Sequence, residues 1–155
     1  MKAIISASLM FVLLSCSDIN HEEKDRIERC IIGFSEAYFN YELNKACDYS
    51  TADSRKWLEY IASNIDDNDL AVINAQDTYA DVSIVDIEYN SSDSTGMTTV
   101  EVNNFYALDT IGNHGHIVSN AKFNINFIKE NGGYKVKMAG PLRSEKQDLS
   151  LDEDL

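Results

Sequence analysis

The apolar residues of this chain keep a helical spacing as far as about Ala75 and a strand spacing beyond Asp77, and that one switch restricts the fold more than any other feature. From Glu22 to Leu43, Ile27, Cys30, Ile31, Phe34, Ala37, Tyr38 and Tyr41 recur at steps of three and four, which predicts a long amphipathic helix. A break near Asn44 leads to a second helical stretch with Ala46, Cys47 and Tyr49 inward. Ser50 or Thr51 then offers an N-cap for a third helix carrying Trp57, Leu58, Ile61 and Ala62. The polar run Asn64-Ile65-Asp66-Asp67-Asn68-Asp69 predicts a turn, with one short helical turn over Leu70 to Ala75.

The second half alternates. Val82 and Ile84 fall on one side of a strand and Val85, Ile87 and Tyr89 on the other, as a bulged or twisted strand would require. Asn90 to Gly96 is turn chemistry, Met97 to Leu108 a second strand, and Ile111 to Gly115 another connection. His116 to Lys129 sets Ala121, Phe123, Ile125 and Phe127 against Lys122, Asn124 and Asn126. Asn131-Gly132-Gly133 is a hairpin turn before a last strand with Tyr134, Val136 and Met138 on one face. Helices followed by a four-stranded antiparallel meander make an α+β plan in which the sheet curls over the first helix. Ser144 to Leu155 is polar and acidic, and is expected to be disordered.

Leu13-Leu14-Ser15-Cys16 closes a short apolar run behind Lys2 and resembles the lipobox of Gram-negative lipoproteins. Ala3 to Leu14 falls well short of the roughly twenty residues a bilayer span needs. The resemblance implies a signal peptide over 1–15, acylation of Cys16, a tether over 16–22, a domain over 23–143 and the acidic tail over 144–155. It also implies a lipid-anchored protein of the cell envelope, at the outer membrane on its periplasmic side or at the cell surface. Ser17-Asp18 with Glu22 and Glu23 resembles the acidic export signals that follow the lipidated cysteine in some Gram-negative lineages.

The 140 residues after such a cut suit one domain with a real core. A formal charge of −13 repels phosphate backbones, so nucleic acid is not an expected partner, and membrane contact is expected through lipid rather than a basic patch. With Cys16 assigned to lipid, Cys30 and Cys47 remain. In an oxidising envelope they are expected to form one disulfide, stabilising by roughly 3 kcal/mol, the alternative being two buried thiols.

Three segments together carry a family resemblance: Phe34-Ser35-Glu36-Ala37-Tyr38, then Ala46-Cys47-Asp48-Tyr49 to Lys56-Trp57-Leu58, then Glu130-Asn131-Gly132-Gly133-Tyr134-Lys135-Val136. Their order is similar to the cystatin-like or nuclear transport factor 2-like cone, particularly small envelope lipoproteins labelled lumazine-binding-like domains of unknown function. Tyr134 stands where that family usually has tryptophan. The resemblance implies a cavity under the curled sheet, for which Tyr38, Tyr41, Trp57, Phe105 and Tyr106 are candidate lining residues, plain core packing being the alternative.

Catalytic signatures are sparse. His114-Gly115-His116 could aim two rings one way, but no third or fourth ligand stands nearby, so no metal or other cofactor is expected. There is no Gly-x-Ser-x-Gly elbow, phosphate loop or His-Glu-x-x-His, and Cys30 and Cys47 lack redox spacing. Asp93-Ser94-Thr95 and Asp109-Thr110-Ile111 resemble an O-glycosylation sequon of exported proteins, marking Ser94 and Thr110. The expected function is non-catalytic binding of a small molecule or an envelope protein partner; the alternative is a small cavity enzyme of isomerase or lyase type.

Overall fold

The computed structural model describes residues 19–108 and 115–145. Cys16, Thr110, His114 and the tail over 146–155 lie outside them. Four helices precede a four-stranded antiparallel sheet in the order β1-β2-β3-β4, which is the α+β plan expected from the spacing.

Helix α1 spans His21–Phe39 and starts inside the expected tether, because the Asn20 side chain accepts from the Glu23 amide at 2.8 Å and caps it. Its inner stripe of Ile27, Cys30, Ile31, Phe34 and Ala37 is buried. It also ends earlier than the periodicity predicts. The Tyr41 and Glu42 amides donate back to Tyr38 and Ala37, a Schellman reversal that puts Tyr41 at φ 61. Asn40 reinforces the stop, donating from Nδ2 to the Glu36 carbonyl at 2.8 Å and accepting the Ala80 amide at 2.8 Å.

Helix α2 (Leu43–Tyr49) runs back along α1, and the two meet where Gly33 leaves room for the Tyr49 ring. Cys30 and Cys47 are free thiols, not the expected disulfide. The helix register explains this. Cys30 Sγ lies 3.2 Å from the Tyr134 carbonyl and 3.7 Å from that of Tyr49, so it faces the end of α2 rather than Cys47. The Tyr49 ring is the α2 side chain that lies against α1 at Gly33, and residues two apart on a helix differ by about 200°, which turns the Cys47 side chain away. Burial pushes the Cys30 thiol up to about 11.

A 3-10 turn at Ala52–Ser54 leads into α3 (Arg55–Ser63), which buries Leu58 and Ile61. The polar cluster expected to be a turn instead opens a nine-residue helix, α4 (Asp67–Ala75). Asp66 and Asp69 form a reciprocal capping box, each side chain accepting from the other's backbone amide.

Strand β1 spans Asp81–Asn90 and its pairing shifts register between Ile84 and Asp86. That bulge ejects Val85, 48% exposed, and lets Val82, Ile84, Ile87 and Tyr89 all reach the core despite their broken alternation. Strands β2 (Thr95–Ala107) and β3 (His116–Glu130) pair Thr98 with Ile125 and Val100 with Phe123 on the inner face. Asn131 and Gly132, both at positive φ, make the tight turn into β4 (Gly133–Val136). Helix α1 lies against β1, β2 and β4, and its start is tied to the last hairpin. There Glu23 accepts from Lys129 Nζ at 2.5 Å and from the Tyr134 hydroxyl at 2.7 Å. Ser144, expected to begin the disordered tail, pairs with Phe123 in an isolated antiparallel bridge.

Candidate functional site

The alternation of β2 breaks at Asn104, and the break builds a cavity. Val100 and Val102 point inward, Asn104 takes φ 52, and both Phe105 and Tyr106 are then buried. The Asn104 amide donates to the Thr78 hydroxyl, fixing the kink to the segment before β1. Its partner strand changes parity at the same level: Phe123 and Ala121 line the space from one phase of β3, Val118 and His116 from the other. The result is a cavity of about 270 Å³ between the end of α1, Ile61 of α3, the kinked ends of β2 and β3, and the Pro141–Ser144 segment.

Tyr38, Tyr41, Phe105 and Tyr106 all line it, whereas Trp57 does not. Trp57 stands half-buried on α3 with the Lys56 ammonium 5.3 Å from its ring, and Ile61, one turn further on, reaches the cavity instead. Phe39 and Phe123 complete the aromatic wall, their ring centroids 4.6 Å apart. Phe39, Val118 and Leu142 were missed from the sequence; only the parity change after Asn104 could have pointed to Val118.

Two of the three phenols are tied down. The Tyr41 hydroxyl donates to the Tyr106 carbonyl at 2.7 Å, and the Tyr106 hydroxyl donates to Asp69 Oδ1 at 2.7 Å. Tyr38 differs, because its oxygen accepts the Leu142 amide at 3.0 Å while its own proton has no acceptor among the described residues. Burial pushes Tyr38 up to about 12. Burial, aided by Asp69, does the same to Tyr106, and Tyr41 is raised too, so all three are neutral donors at physiological pH. Asp69 is held below the usual carboxylate range by the Asp66 amide first and the Tyr106 hydroxyl second. Its charge is therefore spent on capping α4 and holding Tyr106, and it touches that phenol directly with no ligand-sized gap.

The remaining candidates lie elsewhere. Ser94 sits half-buried at φ 59 in the β1–β2 turn, where its carbonyl accepts the Lys129 amide at 2.8 Å. His116 is exposed at the cavity rim. Among the described residues no group of three or more His, Cys, Asp or Glu could hold a metal ion, and no helix is long and apolar enough to cross a membrane. No protein-family model matches this chain, and no curated protein matches it.

Proposed function

We propose that this is a lipid-anchored protein of a Gram-negative cell envelope whose α+β domain, a cystatin-like cone, binds a small molecule and does no chemistry on it. The observation that carries the binding half is the cavity itself: aromatic and aliphatic walls, neutral phenols, and an adjacent carboxylate, Asp69, already committed to a helix cap. A general base would need a free carboxylate or imidazole facing a donor across the ligand; Asp69 is engaged by Tyr106 instead, and His116, the imidazole at the exposed rim, engages another group. The anchor half rests on Leu13-Leu14-Ser15-Cys16.

Filling the cavity tests the first half. Ala121→Trp is expected to weaken any small molecule that wild type captures from an envelope extract by about tenfold or more, equal to at least 1.4 kcal/mol. Equal capture by both proteins would place binding elsewhere. For the second half, Cys16→Ala is expected to release the protein from membrane fractions or leave its precursor uncleaved, since stable anchoring takes more than one acyl chain. Unaltered membrane retention of the mutant would sink the anchor.

A further inference from the structure

We propose that the cavity selects an uncharged, mainly apolar molecule with one hydrogen-bond acceptor, and that the Tyr38 hydroxyl donates to that acceptor. This rests on reading the cavity as a binding site and names what it binds. Size comes first: an apolar cavity of ~150 Å³ takes benzene, so about 270 Å³ admits on the order of ten non-hydrogen atoms. Charge comes next. Among the described residues no Lys, Arg, Asp or Glu lines the walls and His116 stands at the exposed rim, so an ionised ligand inside would lose its hydration without gaining a buried counter-ion.

Polarity is the narrowest filter. Tyr41 and Tyr106 already donate hydrogen bonds, to the Tyr106 carbonyl and to Asp69. His116 and Ser144, also on the wall, each engage other groups. Among the described residues nothing accepts the Tyr38 proton, and its half-buried ring is held by Phe34 and Phe39 at 5.6 and 5.0 Å. A buried donor left unmade is costly, so a ligand that supplies an acceptor there gains more than one that does not. The backbone has been bent to build this site: of the non-glycine residues at positive φ, Ser94 and Asn131 lie in hairpin turns, but Tyr41 and Asn104 flank the cavity.

The test uses three probes of nearly equal size on the full-length chain in dilute detergent, against a detergent blank. Acetophenone carries a carbonyl acceptor, α-methylstyrene replaces that oxygen with carbon, and benzoate is charged. Wild type is expected to bind both neutral probes and not benzoate. Tyr38→Phe should weaken acetophenone by about three- to tenfold, the range of one hydrogen bond, and leave α-methylstyrene unchanged. If Tyr38→Phe does not fold, the carbonyl carbon resonance of acetophenone bound to wild type decides: it should move downfield of its position in the detergent blank. Equal effects of Tyr38→Phe on the two neutral probes, or an unmoved carbonyl resonance, would overturn the role of Tyr38 while the cavity remained a binding site. Binding of benzoate as strong as that of acetophenone would overturn the neutral class. Failure of every probe to bind would overturn this proposal together with the binding reading beneath it.

Discussion

Phe123→Ala is expected to cost about 3–5 kcal/mol of stability and to enlarge the cavity at the same time. The ring is 4% exposed and packs edge-on or tilted against Phe39 and Phe105, with centroids 4.6 and 5.5 Å away. Its removal forfeits both the transfer of the ring from water and the contacts of its neighbours, and the hole merges with space that is already empty. Phe127→Ala removes an equally buried ring away from the cavity, so it is expected to destabilise comparably and leave ligand size preference alone. Denaturant melts check the first quantity, with a fall in Tm on the order of 10 °C for either variant. Probes larger than acetophenone check the second: Phe123→Ala should accept them and Phe127→Ala should not. A loss below ~1.5 kcal/mol at Phe123, the range of mild core swaps, would mean that its ring is not packed as described.

The elements that local spacing controls were legible. The inner stripe of α1, the inward set of β3 and the Asn131-Gly132 turn follow from period and turn chemistry alone, and the bulge in β1 was announced by Ile84 and Ile87 lying out of phase. What failed depended on groups whose partners are distant. A helix stop through a Schellman reversal is expected at glycine; here Tyr41 takes that place, its hydroxyl fixed on β2, and no local signal marks it. Asp66 and Asp69 are the exception: the box they form is local, but an Asp in place of the usual Glu or Gln, inside a run of polar residues, reads as turn chemistry. The cysteine pairing failed on register, since Cys30 meets Tyr49 and not Cys47. For the site, four of five candidate aromatics converge because they lie near the end of α1 or just past Asn104, whereas Trp57 lies one turn of α3 short of Ile61, which reaches the cavity. The Asn104 kink itself was visible only as an interruption of the run Val100, Val102, Phe105, Tyr106, whose meaning needs the paired strand.

Gly115→Ala is expected to loosen α4 without direct contact between the new methyl and that helix. A Cβ at Gly115 would stand 2.5 Å from the Ala107 carbonyl oxygen and 2.5 Å from the Tyr106 ring. The carbonyl belongs to a paired strand and cannot retreat cheaply, so residue 115 must shift off it and the ring must swing as well, at an overpacking cost of about 1–3 kcal/mol. Moving the ring draws its hydroxyl away from Asp69, and Asp69 is the one buried residue of α4. The capping box would survive, but the helix would lose the Tyr106 hydroxyl, which with the Gly115 amide ties Asp69 to the sheet side. Amide hydrogen exchange reads this directly: residues 67–75 should exchange faster in the variant while the β2–β3 amides away from the kink keep their protection. Tyr106→Phe removes the mooring without the clash and should accelerate the same amides. Gly140→Ala places its methyl in open space and should change nothing. Unaltered exchange across α4 in both Gly115→Ala and Tyr106→Phe would show that the helix is held by something other than Tyr106.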